Sequence, residues 1–294
     1  MTSPQKALKI LGRKPSKSLG QHFLLHQATA EKIAGIINPR PGDVVVEVGA
    51  GLGALTLPLS KSGAYVIAIE LDQGLAEFLR KEIREKSVRV ECTDILKFDL
   101  IKLHQYFNKK LKIIGNLPYN TSSPIVFKLM EAAPCIQEAV LMLQAEVAER
   151  VLAAPGGREY GILSVMARYH SELSRVMRLK PSQFHPPPRV DSQVVSFTFR
   201  PCPLKPKVES SWLLQVVKAA FSHRRKTIRN SLLASNLAKQ TPEVVDISLK
   251  NAAIEPSQRP ESLALEDFLR LAEALANMQK RLTWQRRRDS NIKL

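Results

Sequence analysis

Short β-branched runs alternate with stretches of helical periodicity through the first 200 residues, and no other feature constrains the fold of this chain so tightly. Neighbouring parallel strands need a long crossover, usually a helix, so the alternation predicts an α/β domain whose parallel sheet is flanked by helices. Strands are expected at residues 44–48, 65–69, 88–92, 111–114 and 138–143, with two more at 174–179 and 193–199. Helices are expected at 28–37, 55–61, 73–86, 124–132, 145–153 and 162–169. Beyond Pro201-Cys202-Pro203 the pattern changes. Trp212, Leu213, Val216, Val217, Ala220 and Phe221 repeat at helical spacing, Ile228, Leu232 and Leu233 follow, and more helix runs through residues 263–278. The division that follows is a basic segment at 1–20, an α/β domain at 21–203, a small all-helical domain at 204–285 and a basic tail at 286–294.

The sequence supports two such cores, since 44% of its 294 residues are hydrophobic. Its three cysteines, Cys92, Cys135 and Cys202, have no CxxC or other metal-ligand spacing, so they read as reduced thiols and no metal site is expected. No apolar run approaches the roughly 20 residues of a membrane helix, and no signal-peptide core is present, which predicts a soluble cytoplasmic chain without a membrane partner. The net charge of +17 is unevenly spread. Residues 1–20 carry +5 with no acid, residues 201–294 carry 17 bases against 9 acids, and the 180 residues between contribute only +4. Positive charge at both ends favours a polyanion, and nucleic acid is the expected partner.

Chemistry concentrates where the expected strands end. Glu47-Val48-Gly49-Ala50-Gly51-Leu52-Gly53 follows the first strand and opens a helix, with glycines that permit a tight turn and close approach to a ligand. Glu70 ends the second strand, where a carboxylate can accept both hydroxyls of a ribose. Gly49, Gly51, Ala54 and Glu70 also fit a dinucleotide fingerprint, so a nicotinamide enzyme competes at this point. Two features favour S-adenosyl-L-methionine. Glu47 would set a carboxylate where a pyrophosphate should sit but suits a sulfonium and an ammonium. Asp94, after the third strand, can bind an adenine amino group, although as a lone acid it also suits a turn. The fourth strand runs into Asn116-Leu117-Pro118-Tyr119. An amide oxygen and a backbone carbonyl there can accept both hydrogens of a planar amino group and make its nitrogen more nucleophilic, while Tyr119 stacks on the base. Open α/β sheets bind ligands at the carboxyl ends of their strands, so one cleft collects all of these residues.

Together the motifs closely resemble the rRNA adenine N6-dimethyltransferases of the bacterial KsgA/RsmA type. The resemblance runs from Lys17-Ser18-Leu19-Gly20-Gln21-His22-Phe23-Leu24 through residues 46–56, Glu70-Leu71-Asp72, Asp94 and residues 115–120. It continues through Tyr160-Gly161-Ile162-Leu163-Ser164-Val165 and residues 184–192 to Phe221-Ser222-His223-Arg224-Arg225-Lys226. It implies a Rossmann-like class I methyltransferase sheet that binds S-adenosyl-L-methionine at 21–203, with an all-helical RNA-binding domain at 204–285. By the same resemblance His22, Leu24, Gly49, Gly51, Glu70, Asp94 and Asn116 surround the cofactor. The family often has Asn where this chain has His22. Asn116, Leu117, Pro118 and Tyr119 form the target-base clamp, and Phe184 closes the other face of the flipped adenine. Arg224, Arg225, Lys226 and Arg229, on or just after a helix, contact RNA. The implied reaction is dimethylation of two adjacent adenosines in the 3′-terminal hairpin of small-subunit rRNA, by a monomer acting on a partly assembled subunit. The alternatives are a resistance-type enzyme acting on a large-subunit rRNA adenine and an assembly factor without catalysis. DNA adenine methyltransferases usually begin the tetrapeptide with Asp, and protein-glutamine methyltransferases have Pro where Leu117 stands.

Overall fold

In a computed structural model, residues 3–200, 209–223, 225–235, 237 and 241–291 are described, with side chains as far as 281. The chain opens with α1 (Pro4–Ile10), capped by the Ser3 side chain and started by a proline whose missing N–H has no role in a first turn. There follow β1 (Phe23–Leu24), α2 (Gln27–Ile36), β2 (Val44–Val48), α3 (Thr56–Ser60), β3 (Tyr65–Glu70), α4 (Gln73–Glu82) and β4 (Val88–Cys92). The middle of the chain forms α5 (Leu100–Phe107), β5 (Leu111–Asn116), α6 (Ser122–Glu131), β6 (Ile136–Gln144), α7 (Ala145–Leu152) and α8 (Ile162–His170). Then come β7 (Ser171–Leu179), β8 (Phe184–His185), β9 (Ser192–Phe199), α9 (Ser210–Ala220), α10 (Ile228–Ala234), α11 (Pro242–Asn251) and α12 (Leu265–Asn291).

Seven strands form one sheet in the order β4-β3-β2-β5-β6-β9-β7. The first five are parallel, and β9 runs antiparallel between β6 and β7. All five residues of β2 are buried, as expected of a central strand covered on both faces. Val45, Val66, Ile114, Val140 and Val194 from the sheet share one core cluster with Ala30, Ile33 and Ala34 of α2. The chain builds outward from β2 to β4 and then returns to lay β5 on the other side of β2. That reversal opens a crevice at the carboxyl ends of β2 and β5.

All seven expected strands of the large sheet are present. β5 extends two residues further than expected, through Asn116, which pairs with Met142 of β6. The helix expected to reach residue 86 stops at Glu82, where Ile83 turns extended (φ −98°, ψ 117°) and packs with Ala50, Ala68 and Leu79. Segment 1–20 is not a bare basic arm. Ala7 and Leu8 of α1 bury against Phe23, Leu52 and Leu75, and Arg13 pairs with Asp72, the N-cap of α4.

The chain divides into two compact units, 1–152 with 170–201 and 153–169 with 202–294. The expected boundary residue 203 and tail residues 292–294 lie outside the described residues. Segment 153–169, expected in the α/β domain, belongs to the helical unit, where the Gly156 N–H donates to the Glu261 carbonyl (2.7 Å). Tyr160 there meets Phe221 edge-on, with ring centroids 6.2 Å apart. The helical unit is also joined by the Trp212 indole, which donates to the Ala272 carbonyl (2.9 Å), and by the Phe221–Phe268 ring pair at 5.7 Å.

Candidate active site

A cleft in the α/β unit is walled by the carboxyl ends of β2, β3 and β5, the turn after β4, and the segment that runs into β1. It opens to solvent at its mouth, and its lining combines the glycine turn, three strand-end polar side chains and the Asn116–Tyr119 turn. His22, Leu24, Gly49, Gly51, Glu70, Asp94 and Asn116 all line it, as do Leu117, Pro118 and Tyr119. Residues separated by almost 100 positions are thus brought to one wall by the strand order.

The glycine turn reverses the chain through left-handed backbone at Gly49 (φ 73°) and Gly51 (φ 57°). A Cβ on Gly51 would lie 3.2 Å from the Phe23 ring, so this position needs glycine for both conformation and space. The Gly51 N–H donates to Glu70 Oε2 (2.8 Å), and the Asp72 N–H donates to Glu70 Oε1 (2.8 Å). Two amides therefore fix the Glu70 carboxylate at the end of β3 and leave it capacity for two further donors, such as vicinal hydroxyls. Burial pushes its pKa up, and the two amides oppose that shift. Asp94 Oδ1 accepts the Leu96 N–H (2.9 Å) in a turn. Asp94 is thus both the turn acid and a cleft-wall carboxylate, because the turn occupies one oxygen only.

At the end of β5, Asn116 Nδ2 donates to the His22 carbonyl (2.7 Å). That bond fixes the amide orientation and leaves Oδ1 as the acceptor. Leu117 is 1% exposed, and its N–H donates to the Met142 carbonyl (3.1 Å), while the Pro118 carbonyl accepts the Thr121 N–H (3.1 Å). The turn is anchored on both sides. Gly115 just before it allows β5 to meet β2, since a Cβ there would stand 2.5 Å from the Val48 carbonyl oxygen. Gly115→Ala is expected to cost about 1–3 kcal/mol of stability by overpacking and to displace Asn116. Thermal melts and a structure of the purified variant check both.

The ring arrangement around Tyr119 differs from expectation. Phe184 is 2% exposed and sits in the central core with Leu24 and Leu179, away from the cleft wall. As half of a two-residue strand it pairs with Leu24 of β1, which turns its ring inward. Phe184 thus does not line the cleft in this structure and anchors the strap formed by β1 and β8. The ring beside Tyr119 is His22, with centroids 5.0 Å apart and planes at 31°. His22 Nδ1 lies 2.7 Å from the Pro186 carbonyl, so Nδ1 carries the proton and donates. The Tyr119 hydroxyl bonds Ser192, a residue with no exposure. Ser192 falls within the 184–192 motif, but its role becomes visible only in the fold, which buries its hydroxyl beside a tyrosine 73 residues earlier.

Glu47 is 1% exposed and lines the same cleft. Burial pushes its carboxyl up to about 8; neighbouring Thr56 opposes this and Glu70 adds to it. The unfolded chain ionises this group near its ordinary value of 4.5, whereas the folded chain keeps the proton until about 8. Between those values the folded state binds more protons, so this group lowers stability as pH rises. Glu47→Gln should therefore raise the melting temperature of the ligand-free protein. The gain should be near zero below pH 4.5, grow toward pH 8 and level off above it, which paired melts across pH would show.

In the helical unit, Arg224 lies outside the described residues, and Arg225 and Lys226 are both exposed. Arg229, partly exposed, forms a two-pronged pair with Asp246 (2.6 and 2.9 Å) that meets part of its charge. Among the described residues no group of three His, Cys, Asp or Glu side chains could hold a metal, and no helix is long and apolar enough to cross a membrane.

A family model described as ribosomal RNA adenine dimethylase matches residues 12–277. A protein named ribosomal RNA small subunit methyltransferase A from Desulforapulum autotrophicum is 40% identical over 95% of this chain and 98% of its own. Its namesake from Pseudomonas aeruginosa is 41% identical over 89% of this chain and 95% of its own. Among solved structures, a dimethyladenosine transferase from Plasmodium falciparum superposes with a TM-score of 0.73 at 25% identity, covering 85% of this chain and 95% of that one. The 23S rRNA methyltransferase ErmE gives 0.64 at 28% identity, covering 86% and 99%. The fold is that of a class I methyltransferase with a helical C-terminal region, and the chain belongs to the ribosomal RNA adenine dimethylase family.

Proposed function

We propose that the protein transfers methyl groups from S-adenosyl-L-methionine to the N6 amino groups of two adjacent adenosines in the 3′-terminal hairpin loop of small-subunit rRNA. The observation that carries this reading is the Asn116 amide, tied through Nδ2 to the His22 carbonyl so that its oxygen remains to accept from an amino group. The cleft fits the cofactor: Glu70 has acceptor capacity for ribose hydroxyls, Asp94 has an oxygen outside its turn, and Glu47 offers an unpartnered buried Oε2. When bound, the cofactor supplies a methyl group already activated by its sulfonium charge. Asn116 Oδ1 and the Leu117 carbonyl accept the two amino hydrogens, and Tyr119 holds the base plane. The residues act by positioning and polarisation, and no side chain is a nucleophile. After the first methylation the nitrogen gives up one proton to solvent and keeps one hydrogen, so one acceptor suffices for the second round.

Relatives named for the small subunit match at 40–41%, against 28% for the large-subunit enzyme ErmE, which supports the small-subunit substrate. The target base must leave its stack, so an unpaired loop suits the site. We place the reaction in the cytoplasm, carried out by a monomer on a partly assembled subunit, with Arg225 and Lys226 reaching phosphates. Replacing both with Ala should weaken subunit binding and flatten its salt dependence by about one unit of slope per lost phosphate contact. Arg229→Ala should instead destabilise the helical unit.

The test incubates the protein with labelled S-adenosyl-L-methionine and under-methylated small or large subunits and maps the modified nucleotide. Label on two adjacent small-subunit adenosines is expected. Label confined to large-subunit RNA overturns the substrate, and tight subunit binding without label favours an assembly factor.

A further inference from the structure

The strand order also orders the polar side chains at the cleft. Running β4, β3, β2, β5 across the sheet, these are Asp94 just beyond β4, Glu70 ending β3, Glu47 one residue from the end of β2, and Asn116 ending β5. With strands about 4.8 Å apart, Asp94 and Asn116 stand about three spacings, roughly 14 Å, from one another. On the reading above, a nucleoside held by Asp94 and Glu70 extends toward β2, and the amino group polarised by Asn116 waits over β5. The sulfur that donates the methyl must lie between them, and the acid on the intervening strand is Glu47.

The surroundings of Glu47 suit such a position. It is buried, its strand partners are Ala68 and Ile114, and Oε2 has no hydrogen-bond partner. Among the described residues the groups acting on Glu47 are Thr56 and the Glu70 carboxylate, and no cation offsets them. A carboxyl so enclosed is neutral until a positive charge arrives. We propose that Glu47 distinguishes methyl donor from spent cofactor. The amino-acid end common to both ligands pairs its ammonium with its own carboxylate. It is therefore the extra sulfonium charge of the donor that ionises Glu47, expelling one proton to solvent, while the thioether of S-adenosylhomocysteine leaves it protonated. The site thereby favours the donor in a way that strengthens as pH rises, and it loosens its hold on the product when the charge is lost in transfer. No bond other than the Glu47 O–H breaks in this step.

Calorimetry in two buffers of unlike ionisation enthalpy counts the protons. At pH 7 the wild-type protein should release more than half a proton beyond Glu47→Gln on binding S-adenosyl-L-methionine, and no more than the variant on binding S-adenosylhomocysteine. Subtracting the variant removes the ligand's own amine titration. The wild-type preference for donor over product, taken relative to the variant, should rise up to about tenfold per pH unit between pH 6 and 8. Should the variant fail to fold, infrared difference spectra of wild-type protein with labelled glutamate serve instead: a protonated carboxyl band lost with donor and kept with product is expected. Donor binding with equal proton release in both proteins, or with an unchanged band, overturns the proposal and leaves the cofactor assignment standing. No binding of donor to wild-type protein overturns both.

Discussion

Asn116→Ala is expected to slow single-turnover methyl transfer by about 10²–10³-fold, the usual effect of deleting one preorganised group aimed at developing charge. An adenine amino nitrogen shares its lone pair with the ring, and it attacks well only when its hydrogens are drawn out of plane. Asn116 Oδ1 is oriented for this before substrate arrives, because Nδ2 is committed to the His22 carbonyl at 2.7 Å. Truncation removes the acceptor and the orienting bond together. Cofactor binding should change less than about tenfold, since one neutral hydrogen bond is worth about 0.5–1.5 kcal/mol. Asn116→Asp should fall between Ala and wild type: it keeps an acceptor but sets a carboxylate oxygen against the His22 carbonyl. Rapid-quench transfer rates and equilibrium dialysis of the cofactor separate the two effects. A transfer rate within threefold of wild type would remove Asn116 from the clamp.

The parts of this site that were legible in the sequence are those fixed by local rules. β2 reads as a strand because four of its five residues are valines, on both faces, with Glu47 the exception. Gly49 and Gly51 read as a turn because only glycine takes the observed φ cheaply, and Glu70 and Asp94 follow from where strands end. The misses are non-local or short. β1 and β8 have two residues each and no period to detect, yet their pairing determines that Phe184 faces the core and His22 faces Tyr119. α5 buries only Leu100, so its apolar face is too narrow to signal a helix, although Asp99 caps its first turn. α11 was equally unmarked until Thr241 and Pro242 are seen to start it. Arg229 looked like one of a run of bases because its partner, Asp246, lies 17 residues away on the next helix. Charge runs reveal composition, and only folding reveals which charges already have partners.

Lys112→Met is expected to lower stability by about 2–3 kcal/mol and the melting temperature by about 4–12 °C, at a residue that pattern reasoning passes over. A lysine inside Leu111-Lys112-Ile113-Ile114 suggests a side chain escaping to solvent, but Lys112 is 6% exposed. Its ammonium lies 3.0 Å from Asp43, 3.1 Å from Glu138, and 3.1 Å from each of the Ile37 and Asn38 carbonyls. It thereby joins the loop after α2, the entry to β2, and β6 at the amino end of the sheet. Removing one member of a buried ionic cluster commonly costs about 3–5 kcal/mol, because the remaining charges are orphaned. The lower figure applies here because Asp43 and Glu138 keep 29% and 23% of their side-chain exposure and regain some water. Burial pushes the Asp43 carboxyl up, but the Arg40 amide and the Lys112 ammonium outweigh it and hold the pKa below the ordinary 3.8. A lowered carboxylate contributes stability above its unfolded pKa and loses it as pH falls through the folded value. The Lys112→Met deficit should therefore shrink below about pH 4, where neutral carboxyls no longer need the ammonium. Adding Asp43→Asn and Glu138→Gln to the variant should restore much of the loss at pH 7, since a neutral cluster leaves no charge unpaired. Methyl transfer well below the melting transition should stay at the wild-type rate, because Lys112 and Asn116 stand at opposite ends of β5, about 13 Å apart along the strand. Melts across pH, paired with transfer rates, test both halves: an unchanged melting temperature would mean that the cluster contributes nothing net, and a slowed reaction would mean that the two ends of the strand are coupled.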